Sequence, residues 1–202
     1  MTATAAQEKL GTITIPRGCR PSMVCDCEGT RPVITHAYLH RREDDLWLLA
    51  TDSYIACAIR VEEDNARDGW VPIGALRLME QDEAAVQVSN TAWSVYTHEG
   101  TITFDVAPQL GEDATFPITA VEPLLWGDHT EGPVSDIRLD PALTVRLAEA
   151  LGANMGCDPD RPSWSVRLEF AGPLKPIRVT AGGDAGGRIG AQMPVKRLRL
   201  ES

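Results

Sequence analysis

Cysteines and histidines near the start of the sequence stand in an order that could hold a metal ion. Cys25 and Cys27 are one residue apart and precede His36 and His40, which would share one face of a β-strand. Paired cysteines of structural zinc sites are usually separated by two to four residues. The spacing therefore favours free thiols in a loop and two surface histidines over a metal site.

The sequence carries no motif that is typical of an enzyme. The glycine-rich stretch TAGGDAGGRIG, residues 180–190, lies between two predicted strands, whereas a phosphate-binding loop opens a helix. Asp52 in ATDS is a single carboxylate, and no serine or cysteine has a recognisable base nearby in sequence. Residues far apart in sequence can still assemble such a pair, but we expect no catalysis and no cofactor.

Composition indicates an ordinary globular protein with an acidic surface. The 202 residues include 43% apolar and 24% charged residues, with 19 basic and 29 acidic side chains, for a formal charge of −10. This charge repels a polyanion, so a tight base-reading DNA protein is not expected, although loose contact through a few basic side chains is compatible with it. No membrane segment and no secretory signal are recognisable, and the five cysteines are an odd number, so we expect a cytoplasmic protein without a disulfide framework.

Short strands dominate the predicted secondary structure. Apolar and β-branched runs are bounded by turn residues, and Trp93, Val95 and Thr97 alternate with their neighbours at the period of two that strands require. Strands are predicted at residues 11–15, 33–40, 46–50, 54–61, 70–72, 85–89, 93–97, 101–106, 137–139, 163–170, 177–180 and 188–193.

Two helices interrupt the strands. In the clearer one Asp140 can act as the N-cap, Pro141 fits the first helical position and Gly152 can end the helix, while a stripe of leucines gives one buried face. A weaker helix is predicted at residues 73–84. Each helix follows a short strand and precedes three more.

The predicted order is thus a strand, a helix and three strands, and it occurs twice. A third, degenerate copy precedes them, with RGCRPSMVCDCEGTRP at residues 17–32 in the helix position, where proline and glycine allow a loop or at most one turn. We predict a first domain at residues 8–118, a linker at 119–135 and a smaller C-terminal domain or repeat at 136–198.

Several stretches, taken in order, resemble the bacterial DNA polymerase III beta subunit, the sliding clamp. They are LLATDSYIACAIRV at 48–61, WVPIGALRLM at 70–79, ATFPITAVEPLL at 114–125, IRLDPALTVRLAEAL at 137–151, and GPLKPIRVTAGG followed by RIGAQMPVKRL at 172–198. The resemblance implies an α+β DNA-clamp fold, the processivity fold, in which β-α-β-β-β repeats place antiparallel sheets outside and helices inside. A clamp subunit has three domains of two repeats each, and this chain supplies about three repeats.

A clamp of this family surrounds duplex DNA as a ring and needs only scattered basic side chains on its inner surface, so the resemblance is compatible with the acidic composition. The DNA-facing candidates are Arg77 and Arg146 on the helices, with Arg17, Arg20 and Arg31 in the loop that replaces the first helix. The alternative is that these five residues are ordinary surface arginines.

In the same family a hydrophobic cleft binds extended peptides from polymerases, clamp loaders and repair proteins. The family's loop usually has glycine, a basic pair and leucine where this chain has Ser-Tyr-Ile, and Val121 replaces a basic residue, so partner choice is expected to differ. The alternative is that Ile55 and Met193 are core residues. Carried over by position, the cleft consists of Thr51, Ser53, Tyr54, Ile55, Pro117, Val121, Met193, Pro194 and Val195.

Two functions follow from the resemblance. The first is a processivity factor: a homo-oligomeric ring of three or four chains that encircles duplex DNA non-specifically and tethers a DNA polymerase or a clamp loader through short peptides. The second is a clamp-derived adaptor or decoy that keeps the peptide cleft without encircling DNA.

Overall fold

The computed structural model describes residues 10–25, 31–81, 83–106, 110, 114–127, 139–152, 166–171, 175–181 and 187–194. Within these ranges the protein consists of short strands and three helices. The strands are β1 (Gly11–Thr14), β2 (Ala37–Arg42), β3 (Asp45–Thr51), β4 (Ile55–Arg60), β5 (Glu62–Asp64), β6 (Gly69–Val71), β7 (Ala85–Ser89), β8 (Ala92–Thr97), β9 (Gly100–Asp105), β10 (Val166–Phe170), β11 (Ile177–Ala181) and β12 (Arg188–Gln192). The helices are α1 (Ile73–Met79), α2 (Ile118–Trp126) and α3 (Pro141–Ala150).

The strands form two antiparallel sheets, which confirms the predicted α+β class. One sheet has the order β5-β1-β7-β8-β9, and the other has the order β10-β11-β12-β4-β3-β2-β6. The first two repeats exchange their opening strands, since β1 pairs with β7 and β6 pairs with β2. This exchange ties the two repeats together, because neither sheet is complete without a strand from the other.

The third repeat joins the first through its last strand. Residues 188–192 of β12 pair in antiparallel register with residues 55–59 of β4, so that Gln192 lies opposite Ile55. The sheet is therefore continuous between the two predicted domains, 8–118 and 136–198, whose boundaries stay a prediction. The last strand also lies directly beside the Thr51 turn.

The main core fills the space between the inner faces of the two sheets and the helices. Leu46, Leu48 and Ala50 of β3 point into it, together with Leu76 of α1 and Leu147 of α3. Gly190 lets α3 approach the sheet closely, because a Cβ there would lie 2.6 Å from Leu147 Cδ1. The opposite side of α3 reaches solvent, as Val145 shows with 39% exposure.

A second core covers the outer face of the seven-stranded sheet. The alternate residues of β3, Trp47 and Leu49, point outward and pack with Val121 and Leu125 of α2. This helix occupies the start of the segment that was predicted as a linker, 119–135, since residues up to Trp126 are helical. Two prolines obscured the helix in the sequence: Pro117 caps it, and Pro123 lies inside it.

Helix α3 agrees with its prediction more closely than α1 does. Asp140 caps α3 by accepting the N–H of Ala142 at 2.8 Å, and Gly152 follows the helix with φ 80°. Helix α1 ends at Met79, short of the predicted residue 84. The three residues at 81–83 are Gln, Asp and Glu, so no apolar side chain continues the buried stripe beyond Met79.

In the described residues 17–25, the helix position of the first repeat holds one 3₁₀ turn, Pro21–Met23, in agreement with the predicted loop or single turn. Ser22 binds Glu80 at the end of α1, while the N–H of Arg20 donates to the carbonyl of Ala150 in α3 at 3.0 Å. The turn thus lies between the two helices. A second 3₁₀ turn, Pro32–Ile34, explains why β2 starts at residue 37 and not at residue 33.

Among the described residues, no helix combines the length and the apolar character that crossing a bilayer requires.

Candidate functional site

An open pocket of about 200 Å³ lies where β4 begins and β12 ends. The sequence-predicted cleft residues that line it are Thr51, Ser53, Tyr54, Ile55 and Met193, and the other lining residues are Ala56, Leu124, Ala191 and Gln192. Two parts of the chain that are far apart in sequence therefore meet as the resemblance implied.

The remaining predicted cleft residues lie around this pocket or outside the described ranges. Pro117 is the N-cap of α2, and Val121 is buried at 3% exposure in the outer core. Pro194 is partly buried directly after Met193. Val195 lies outside the described residues.

The turn between β3 and β4 has its own hydrogen-bond network. Asp52 Oδ1 accepts the N–H groups of Tyr54 and Ile55, each at 2.9 Å. The Thr51 hydroxyl donates to the carbonyl of Ile55 at 2.9 Å and accepts the N–H of Ser53 at 3.1 Å. Ser53 has φ 78°, a conformation that favours glycine. The side chains of Thr51 and Asp52 thus stabilise the shape of the turn from within.

This turn holds Tyr54 outward on one side of the pocket. The Tyr54 side chain is 65% exposed, and Met193 on the facing strand is 39% exposed. The N–H of Met193 donates to the carbonyl of Tyr54 at 3.0 Å, so the backbone joins the two sides. The pocket therefore has two large, adaptable apolar groups at its rim.

Helix α3 supports both sides of the pocket from beneath. Arg146 NH2 lies 3.0 Å from Asp52 Oδ2, and its guanidinium also donates to the carbonyl of Met23. The Thr144 hydroxyl donates to Gln192 Oε1 at 2.9 Å, and Gln192 Nε2 donates to the carbonyl of Asp140 at 3.2 Å. Gln192 is buried, so these bonds satisfy its amide.

Sequence reasoning did not find the roles of Leu124, Gln192 and the Asp52–Arg146 pair. Leu124 belongs to the helix that was taken for a linker. A buried glutamine in the closing strand carries no local signal, because its partners Thr144 and Asp140 lie 48 and 52 residues away along the chain. Asp52 was weighed only as a catalytic carboxylate, although an aspartate within a tight turn commonly accepts backbone N–H groups.

The arginines predicted to face DNA divide into two groups. Arg17, Arg20 and Arg77 are exposed, and Arg20 and Arg77 lie close enough to Glu80 to influence it. Burial raises the pKa of Glu80, against the lowering effect of its hydrogen bonds from Ser22 and of these two charges. By contrast, Arg146 binds Asp52, and Arg31 NH1 donates to Ser53 Oγ at 3.0 Å. These two arginines support the turn beside the pocket.

The candidate metal ligands do not converge. His36 is buried against Trp70 with its Nδ1 at 2.8 Å from the Thr35 hydroxyl, and burial lowers its pKa. His40 Nε2 lies 3.1 Å from Glu122 Oε1 on α2. No group of three or more metal-ligating side chains occurs among the described residues, and Cys27 lies outside them.

The described thiols lie in the main core. Cys19, Cys25 and Cys57 are buried, so Cys25 is not displayed in a surface loop as the sequence suggested. Burial raises the pKa of Cys19 to about 11 and also raises that of Cys57. These thiols are thus poor nucleophiles at neutral pH.

Exchanged strands, antiparallel sheets and inner helices together define a sliding-clamp fold. Its solved relatives include the putative DNA polymerase III beta subunit of Eubacterium rectale, with TM-score 0.59 and 14% identity over 96% of this chain and 68% of that one. The beta chain of Streptococcus pneumoniae has TM-score 0.63 and 12% identity over 98% and 67%. The sliding clamp of Bartonella birtlesii bound to griselimycin has TM-score 0.57 and 13% identity over 98% and 69%.

At these identities the likeness shows the fold. No protein-family model and no curated protein matches the sequence. The clamp-like fold that the resemblance implied is confirmed, and the chain spans about two thirds of the length of these subunits.

Proposed function

We propose that this protein is a non-enzymatic, sliding-clamp-like processivity factor. Copies of the chain assemble into a ring around duplex DNA, and each copy holds a polymerase or a clamp loader through an extended peptide. The observation that carries the proposal is the pocket between the Thr51–Ile55 turn and Met193, at the position that the clamp resemblance assigns to the peptide cleft.

The chemistry of the pocket suits an apolar peptide segment. The pocket is open on one side, which leaves room for a chain segment that runs on past it, and its lining is mostly apolar. Leu124, Ile55 and Met193 offer an apolar lining, and Tyr54 can pack its ring against a bound side chain. The Ser-Tyr-Ile turn differs from the family's loop, so the preferred peptide differs too.

The exposed arginines support a loose contact with DNA. Arg77 lies on α1, Arg17 and Arg20 precede the 3₁₀ turn, and all three are exposed. The clamp resemblance assigns α1 and this turn to the inner layer of the fold. A few positive charges at this surface attract phosphates without fixing a register, while the acidic remainder of the chain does not bind DNA.

Peptide binding is tested by fluorescence anisotropy with a labelled clamp-binding peptide from a bacterial replicative polymerase. Tyr54→Ala and Met193→Ala should each weaken binding about tenfold, since removing a well-packed anchor side chain costs about 1–2 kcal/mol. Tyr96→Ala is the matched control, because Tyr96 is 41% exposed on β8, outside the pocket. Equal affinities of the wild type and both pocket variants would contradict the proposed site.

Encirclement is tested separately by retention on DNA. A closed ring should remain on circular plasmid during gel filtration in high salt and be lost after the plasmid is cut, because salt screens charge contacts but cannot open a topological link. Equal retention on circular and linear DNA would contradict encirclement.

A second candidate is the adaptor that binds clamp-interacting peptides without encircling DNA. It is favoured by one observation: Arg146 and Arg31 are engaged with Asp52 and Ser53, which leaves fewer cations for phosphate contacts. Under this alternative the peptide assay succeeds and the protein is retained on neither form of DNA.

A further inference from the structure

The four sheet edges in the described part of the chain differ in their protection. The edge strand β5 is short and consists of Glu62, Glu63 and Asp64, and β6 has only three residues. The edge strand β10 carries Arg167 and Glu169, which form an ion pair. Charge and short length are common ways in which proteins prevent edge pairing. These three edges are thus guarded.

The fourth edge, β9, is six residues long and almost uncharged. Its sequence is GTITFD, with Asp105 at its end, and its side chains are exposed except for the partly buried Phe104. Ile102 lies opposite Val95 of β8 and therefore points toward the core side of the sheet, yet it is 44% exposed. An apolar, inward-facing side chain at an open edge indicates a missing neighbour strand.

The internal repeats indicate what this neighbour is. Strands β6-β2-β3-β4 and β1-β7-β8-β9 have the same order, an exchanged opening strand followed by the three strands of one repeat, so that β9 is the equivalent of β4. Strand β4 pairs with β12 in antiparallel register over five residue pairs. Each of these two strands is the last strand of its repeat. Within the chain, therefore, repeats join through their last strands.

The helices strengthen this equivalence. At the β4–β12 junction, α3 approaches the sheet closely at Gly190, where a Cβ would meet Leu147. At β9, α1 also approaches the strand closely, but here the glycine is on the helix: a Cβ at Gly74 would lie 2.5 Å from Phe104 Cε1. One side of an equivalent junction, a free strand edge with a helix packed against it, is thus present at β9.

We infer that β9 pairs in antiparallel direction with β9 of a second copy of this chain. The two strands meet about a two-fold axis normal to the sheet, and the inward-facing Ile102 and Phe104 of both copies extend the core across the junction. The interface joins last strand to last strand, as β4 and β12 do. It is therefore isologous and differs from a head-to-tail junction.

This inference deepens the proposed function, and its consequence for a ring rests on that proposal. A closed ring that contains such two-fold junctions has an even number of chains. The β9 junction alone gives a dimer, and a ring would also need a second junction on each chain at one of the guarded edges. Of the two sizes expected from counting repeats, four chains agree with the two-fold symmetry and three do not.

The first test measures molar mass by sedimentation equilibrium. The wild type should have twice the 21.9 kDa of one chain, or a larger even multiple, and Ile102→Lys should halve the mass because two charges would face each other at the junction. Val145→Lys is the control, since Val145 is 39% exposed on α3 and should leave the mass unchanged. A monomeric or odd-numbered wild type, or an unchanged mass of Ile102→Lys, would overturn the inference.

The second test reads the register directly and does not depend on the lysine variant. In a Cys27→Ser, Cys157→Ser background, Ile102→Cys and Thr103→Cys are oxidised separately with copper phenanthroline. Near a two-fold axis a central residue faces its own copy, so one of the two should form a disulfide-linked dimer. A disulfide that forms only between Thr103→Cys in one copy and Arg167→Cys in another would establish pairing of β9 with β10 and refute self-pairing.

Peptide affinity distinguishes the proposed peptide pocket from the proposed pairing of β9. Ile102→Lys should bind the polymerase peptide as the wild type does, because Ile102 lies in the other sheet from the pocket. Failure of peptide binding in the wild type would refute the proposed cleft and leave the strand pairing to be judged by mass and crosslinking.

Discussion

The ion pair between Asp52 and Arg146 can be tested as the link that holds the pocket turn on helix α3. Asp52→Asn keeps an oxygen that can accept the N–H groups of Tyr54 and Ile55, but it places an uncharged amide beside Arg146. The substitution therefore removes the charge attraction and leaves the local turn bonds available. Arg146→Met removes the other partner and keeps a long apolar side chain.

The expected size follows from burial. Asp52 is 10% exposed and Arg146 is 35% exposed, with 3.0 Å between their atoms, so solvent screens the pair only in part. Exposed pairs contribute about 0.2–1 kcal/mol, while breaking a fully buried pair costs about 3–5 kcal/mol. We expect a coupling free energy of about 1.5 kcal/mol, near the lower end of hydrogen bonds to charged groups.

A double-mutant cycle measured by urea unfolding gives this coupling. Arg146→Met also removes the bonds to the Met23 carbonyl, but that loss occurs in both arms of the cycle and cancels. The matched control is Asp45 with Arg60, which are 48% and 47% exposed and 3.6 Å apart. Asp45→Asn with Arg60→Met should give a coupling below about 0.5 kcal/mol.

The reasoning is wrong if the Asp52–Arg146 cycle gives no more coupling than the exposed control. That result would mean that solvent screens the pair despite its burial, and that the turn keeps its shape through the Thr51 and Asp52 backbone bonds alone. A coupling of the expected size, together with weaker peptide binding by Asp52→Asn, would show that α3 positions the turn.

Two further predictions concern stability. Burial lowers the pKa of His36 below 6.5, so the unfolded chain binds the proton first as the pH falls. The stabilising contribution of the neutral ring is therefore complete above pH 6.5 and is lost below it. In urea titrations at several pH values, His36→Phe should reduce the acid slope of the unfolding free energy by up to about 1.4 kcal/mol per pH unit. Gly190→Ala should lower the unfolding free energy by about 1–3 kcal/mol, because its Cβ would clash with Leu147. Gly69→Ala is the control and should lower the unfolding free energy less, because its Cβ would meet only Gln87 Nε2 at 3.5 Å. Equal losses in the two variants would contradict close packing as the cause.

Local patterns predicted the elements whose signals are local. Helix α3 was recognisable because Asp140, Pro141 and Gly152 each act within one turn of the chain. Most strands were predicted to within a few residues, since their apolar runs are bounded by turn residues. Helix α2 was missed because Pro123 argues against a helix in the sequence, while the burial of Val121 and Leu125 against the outer face favours one.

Non-local pairing could not be read from periodicity. The exchange of β1 and β6 between repeats depends on which edges remain open after the other strands have paired, and no short window of sequence holds that information. Strand β5 was not among the predicted strands, since Glu62, Glu63 and Asp64 are acidic. It forms through pairing with β1. The pocket was predictable only through the resemblance, which supplied the long-range pairing that the residues alone do not specify.

The structure also changes how Arg146 is interpreted. A basic residue on an inner helix of a clamp fold suggests contact with DNA, but here its guanidinium is shared between Asp52 and the Met23 carbonyl. Using it for a phosphate would break a partly buried pair, which costs more than one solvent-screened phosphate contact returns. Arg20 and Arg77 are exposed and lie near Glu80, away from the pocket turn. Under the proposed function, substituting Arg146 is therefore expected to disturb the pocket before it disturbs DNA binding.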